Sequence, residues 1–98
     1  MKMFVISMGL ATQEQRDTIT RRYQDTAYGY WHWLPDFWIL QSPYDNDTAA
    51  AIRSQIHNLV PNIPLIVLQV DPVEDQWATY GGPKWREWLD RNWKKQKP

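Results

Sequence analysis

Two groups of carboxylates have the type and spacing to hold a divalent cation or act as a general base. Asp71, Glu74 and Asp75 follow directly on an apolar run, and Asp45 and Asp47 share a short loop. Magnesium and manganese take oxygen ligands, so either group offers suitable donors. The ordinary uses of such residues are a solvated loop for the first group and a helix N-cap for the second. Asp71 lies nearest a strand end and is the first carboxylate to test. His32 stands between two tryptophans, where general-base chemistry would need an acidic partner and an open face, and the sequence shows neither. A packed, hydrogen-bonded histidine is the expectation. His57 falls at the end of a predicted helix, where positive charge suits the C-terminus. The triplets His-Trp-Leu and His-Asn-Leu do not match the paired His-x-Thr/Ser of two-histidine phosphodiesterases.

Basic residues divide between Arg16, Arg21 and Arg22 in the first half and Arg86, Arg91, Lys94, Lys95 and Lys97 in the tail. Phosphate contact is their functional use and a solvated helix face their ordinary one; the functional use needs the two groups to converge. Gly81-Gly82-Pro83-Lys84 lacks the spacing and the Lys-Ser/Thr pair of a phosphate loop.

Composition narrows the field. The chain has 98 residues, enough for one core, and 11 Lys and Arg balance 11 Asp and Glu. A dedicated nucleic-acid binder normally shows a basic excess or stripe, so the balance argues against one. The absence of cysteine removes disulfides, thiolate metal sites and a cysteine nucleophile. The opening Met-Lys-Met-Phe-Val-Ile-Ser-Met run, ended by Gly9, is too short for a membrane span or a signal core. A cytoplasmic protein without membrane attachment is expected.

The elements that must position these groups centre on Tyr28–Ser42, two aromatic strands joined by a tight turn at Leu34-Pro35-Asp36. Alternation puts Trp31 and Trp33 on one face and Tyr30, His32 and Leu34 on the other. On the second strand Phe37 and Ile39 take one side, Trp38 and Leu40 the other. Both faces are apolar, so both need cover, and one layer of helices supplies only one. Aromatics on a sheet would suit base stacking, but Pro35–Gln41 lacks the Lys/Arg-Gly-Phe signature of an RNA-recognition strand. Met3–Met8 and Leu65–Val70 read as buried strands. Thr12 and Gln15 form a capping box opening a helix over 11–24, and Ala49, Ile52, Ile56 and Leu59 mark a second helix with Asp45 or Asp47 as its N-cap. The order strand–helix–strand–strand–helix–strand predicts an α+β, ferredoxin-like βαββαβ domain, with a four-stranded antiparallel sheet and helices on one face. Its core covers about 1–71.

Residues 72–98 form an extension. Trp77–Tyr80 reads as a short edge segment, Pro83 suits a first helical position, and Trp85, Trp88, Leu89 and Trp93 share one side of an amphipathic helix. That stripe must dock on the bare sheet face, in cis or on a second subunit. Trp31, Trp33, Trp38, Trp85, Trp88 and Trp93 are the residues expected to build this docking or dimer face.

The strand Met3-Phe-Val-Ile-Ser-Met-Gly-Leu10, the hairpin Trp31-His-Trp-Leu-Pro-Asp-Phe-Trp-Ile-Leu40, the pair Ile52-Arg53 and the ending Trp77-Ala…Trp88-Leu89 together resemble the SinR-like proteins. These are small ferredoxin-fold relatives of the CRISPR adaptation nuclease subunit and of VapD-type toxin ribonucleases. The resemblance implies the fold, a homodimer, and a setting in bacterial or phage defence. In nuclease members an aspartate closing the first strand holds the catalytic metal at the dimer axis. Aligning Ser7-Met8-Gly9-Leu10 with that motif puts Gly9 at its place, so the resemblance carries no catalytic metal onto this chain.

The resulting expectation is a homodimeric, non-catalytic binding or regulatory protein without a cofactor, its partner a nucleic acid or another protein. The nucleic-acid candidates are Arg16, Arg21, Arg22, Arg91 and Lys94. One alternative is a magnesium- or manganese-dependent nuclease using Asp71 or Asp45, with His32 as a further catalytic candidate. The other is a small-ligand binder with Trp31, Trp33 and His32 lining a pocket between sheet and tail.

Overall fold

Seven elements follow one another in a computed structural model that describes residues 1–74 and 76–94. They are β1 (Lys2–Met8), α1 (Gln13–Tyr23), β2 (Gly29–Leu34), β3 (Phe37–Ser42), α2 (Ala49–Leu59), β4 (Leu65–Val70) and α3 (Lys84–Asn92). Asp75, Lys95 and Lys97, singled out above, lie outside the described residues. The protein is α+β, with one four-stranded sheet in the order β2-β3-β1-β4 and every neighbouring pair antiparallel. No described helix is long and apolar enough to cross a membrane.

The sheet separates two cores, as the two apolar faces of the hairpin demand. On one side Phe4 and Ile6 of β1 and Trp38 and Leu40 of β3 meet Ile19 and Tyr23 of α1 and Ile52, Ile56 and the following Val60 from α2. On the other side Met3, Trp31 and Ile39 close around Leu89 of α3, flanked by Phe37, Val70, Trp77, Trp85, Trp88 and Trp93. The tail helix therefore docks on the sheet of its own chain. Trp31 fixes it there by donating its indole N–H to the Trp85 carbonyl at 2.8 Å, and Trp31 meets the Trp85 ring edge-on with centroids 5.8 Å apart. Gly81 sits under this ring: a Cβ there would lie 2.4 Å from Trp85 Cδ2, so the close approach needs glycine.

Local chemistry explains the ends of the elements. The capping box of α1 is complete, with Thr12 Oγ1 accepting from Gln15 N and Gln15 Oε1 accepting from Thr12 N. The helix itself begins at Gln13 rather than 11. The N-cap of α2 is Thr48, whose hydroxyl accepts from Ala51 N at 3.1 Å; neither Asp45 nor Asp47 takes that role, because Asp47 is held elsewhere. Trp77–Tyr80 forms no strand. It is a connector whose Trp77 ring packs with the α3 core, where its apolar surface is worth more than one edge ladder. Trp38 belongs to the α1/α2 core, at 1 % exposure, and not to the tail-docking face with the other tryptophans. The parity of β3 decides this, since Trp38 is one residue out of phase with Phe37 and Ile39.

Candidate functional site

The end of β1 meets the β2–β3 turn. Met8 N–H donates to the Asp36 carbonyl at 2.9 Å and Gly9 N–H to the Pro64 carbonyl at 2.8 Å. A Cβ on Gly9 would stand 2.9 Å from Pro64 Cγ, inside contact distance of a stiff ring. The position that the resemblance aligns with a metal-binding aspartate is thus packed against a proline, and a side chain there must displace it.

The carboxylate nearest this point is Asp36, and it is fully engaged. Arg16 Nε and Nη2 donate to Asp36 Oδ1 and Oδ2 at 3.1 and 3.2 Å, and Ala11 N–H reaches Oδ1 at 3.3 Å. The fork-on-carboxylate geometry ties the hairpin turn to the first turn of α1. The Arg16 hydrogen bonds hold the Asp36 carboxyl below its ordinary range, and the same bonds raise the Arg16 guanidinium. A lowered folded-state carboxyl contributes stability that is full above its unfolded value, about 3.9, and is lost as pH falls through the folded value. Asp36→Asn should therefore be less stable than the native chain near neutral pH, and the two melting temperatures should converge in acid. Thermal melts from about pH 7 to pH 2 check this; a gap that stayed constant would show that the carboxylate charge is not the cause.

A second polar group was not foreseen from sequence. Asp47 Oδ2 accepts from Tyr28 OH and Ser42 Oγ, each at 2.6 Å, and Lys2 Nζ donates to the Asp47 carbonyl at 2.7 Å. Ser42 is fully buried and its Oγ also accepts from Tyr44 N. Tyr23 OH donates to Gln55 Oε1 at 2.9 Å. Burial pushes the Tyr23 hydroxyl upward, and burial with the bond to Asp47 does the same for Tyr28. Through these bonds Tyr23 ties the end of α1 to α2 and Tyr28 ties the start of β2 to the loop before α2. The only sequence signal was three hydrogen-bonding residues at the ends of the hairpin and of the next loop.

The remaining candidates are spread out. His32 is half-buried, stacked on Trp38 with centroids 3.9 Å apart and planes 6° apart, its Nδ1 3.0 Å from the Phe37 carbonyl; this is the packed, hydrogen-bonded state expected of it. Asp45 lies 3.6 Å from the Met1 amino group with its side chain 92 % exposed. Asp71, also exposed, borders an open hollow of about 380 Å³ with Lys2, Met3 and Val73. Among the described residues no three His, Cys, Asp or Glu side chains gather as a metal site would require. Arg21 bonds Thr18 on its own helix, and Arg22 lies 5.2 Å from the centroid of the Tyr23 ring and reaches Gln55. Arg91 and Lys94, both exposed, belong to the tail. With α1 and α3 packed against opposite faces of the sheet, Arg16, Arg21 and Arg22 lie on one side of it and Arg91 on the other.

The aromatic face is where the structure concentrates surface capable of recognition. Trp33, 46 % exposed, stacks on Trp85 with centroids 6.2 Å apart. Beyond α3 the sheet stays open. Register places Trp31, Ile39, Val5 and Leu68 in one row across it and Phe37, Ser7 and Ile66 in the next. The first members of each row pack into the α3 core, while Ile66 and Leu68 remain 54 % and 50 % exposed.

No protein-family model, curated protein or solved structure matches this chain.

Proposed function

We propose that this is a ferredoxin-like protein that acts by binding, as a homodimer, and not by turning over a substrate. The order β2-β3-β1-β4 and the two strand–helix–strand halves support the ferredoxin-like reading. The observation that carries the reading is the half-covered sheet face. The helix α3 shields the β2–β3 side, and the β4 side is left with Ile66 and Leu68 outward on an edge strand without a charged residue or proline. Natural edges are usually blunted by such residues or by bulges. The opposite edge, β2, does carry a register irregularity between Trp31 and Leu34. An uncharged apolar stripe is self-complementary, so a second copy related by a two-fold axis is the occupant it fits. The close packing of Gly9 on Pro64 supports the non-catalytic half of the reading. The resemblance to SinR-like proteins adds the setting, bacterial or phage defence, with a nucleic acid or a second protein as the eventual partner.

One preparation tests both halves. Light scattering should give twice the chain mass, and the double variant Ile66→Glu, Leu68→Glu should give the single-chain mass while keeping the native circular-dichroism spectrum, since both side chains are half exposed within one chain. A native protein that stays monomeric at high micromolar concentration would overturn the dimer. Incubation with labelled RNA and DNA in manganese should leave all strands intact; cutting that Asp71→Ala abolishes would make the protein a nuclease instead.

A further inference from the structure

The open edge of the sheet presents its backbone groups in a fixed order. Gly9 N–H donates to the Pro64 carbonyl at 2.8 Å, and this pair continues the register that sets Met8 opposite Leu65. Bonded and non-bonded pairs alternate along an antiparallel ladder. The bonded ones are therefore Ser7 with Ile66, Val5 with Leu68 and Met3 with Val70, so Ile66, Leu68 and Val70 turn their backbone groups toward β1. The N–H and C=O groups of Leu65, Val67 and Gln69 turn the other way, along an edge that no described strand adjoins. Each is a donor or acceptor that must find water or another partner. The other edge, β2, has no such regular row, because its register shifts between Trp31 and Leu34. On its helix side β4 is open at Leu65, where a hollow of about 330 Å³ is bordered by Arg53, Ser54, His57 and Asn58 of α2.

We infer that two copies join edge to edge, each β4 adding to the other's sheet as an antiparallel strand with Val67 on the two-fold axis. This joint presupposes the homodimer proposed above and fixes how its copies meet: one sheet runs through both, in place of two sheets stacked by their faces. Hydrogen bonds form only where outward residues meet outward residues. Centred on Val67, all three do so, Val67 facing its own counterpart and Leu65 facing the partner's Gln69. Centred on Ile66 or Leu68, one of the three faces chain beyond β4 instead. The Val67 register also sets Ile66 opposite the partner's Leu68, a non-bonded pair with Cα atoms about 4.5 Å apart. The two half-exposed side chains of each copy thereby cover those of the other. β4 holds no charged residue, so no like charges meet across the axis.

Single cysteines test the register, since the native chain has none. Ile66→Cys and Leu68→Cys are made as separate full chains, one of them ¹⁵N-labelled because the two are otherwise equal in mass. Mixed, concentrated to the high micromolar range and oxidised, they should link to each other, as intact mass spectrometry reads directly. Either variant alone should stay unlinked, because a residue and its own counterpart then stand about 7–8 Å apart, beyond the reach of a disulfide. Val67→Pro removes the outward N–H on the axis and no bond to β1. It should give the single-chain mass by light scattering with the native circular-dichroism spectrum. If that variant fails to fold, the disulfide pattern decides. A native dimer whose cysteine variants do not link to each other, or link by preference to themselves, would overturn this joint and leave the homodimer standing. So would a folded Val67→Pro that remains dimeric. A native protein that scatters as a single chain would overturn both.

Discussion

Trp38→Ala should lower the unfolding free energy by about 3–5 kcal/mol, the range for emptying a buried aromatic site. The ring is 1 % exposed and lies on β3 opposite Ile6 of β1, in the one core that α1 and α2 share. Its face is also occupied, by the parallel His32 ring at 3.9 Å, so removal strands a second side chain. The cavity cannot be filled cheaply from the sheet side, because Phe4, Ile6 and Leu40 of this core stand on strands whose positions two ladders fix. Urea unfolding should show the midpoint fall with the slope unchanged, the signature of lost stability within one cooperative unit. A loss below about 1 kcal/mol would mean that the core rearranges around the gap.

How far this architecture could be read in advance depends on the range of the forces involved. Strand alternation is local, so the two faces of the hairpin were legible in Trp31 and Trp33 against His32, and in Phe37 and Ile39 against Trp38; Leu34, expected beside His32, instead pairs with Phe37 beyond the irregularity in β2 and lies on the tail side with Trp31. The complete capping box at Thr12 and Gln15 was equally legible, since both partners lie three residues apart. The N-cap of α2 was not. Asp45, Asp47 and Thr48 are all capping residues by type; what removes Asp47 is its pair of short bonds to Tyr28 and Ser42, partners supplied by other elements. The same holds for Asp36, which reads as a turn residue and becomes an ionic tie only once α1 brings Arg16 beside it. The need for cover on both faces followed from composition. That the cover is the chain's own α3, over half the sheet, followed from docking geometry that no periodicity contains.

That partial cover leads to the second large effect. Leu89→Ala should cost about 2–5 kcal/mol, yet differ from Trp38→Ala in what it releases. Leu89 is 2 % exposed and is the buried centre of the tail-side core, while the α1/α2 core on the other face shares none of its buried side chains. The tail helix should therefore loosen as a unit before the sheet does, as a local opening and not a global one. Tryptophan emission reports it well. Trp31, Trp77, Trp85, Trp88 and Trp93 sit on this side, with Trp33 stacked on Trp85, so six of the seven tryptophans should gain water and shift to the red. Far-ultraviolet ellipticity from α1 and α2 should persist over the same range of denaturant. Coincident loss of both signals would mean that the two cores, although divided by the sheet, unfold as one. In that case β1 and β3, which contribute side chains to each, transmit the damage across it.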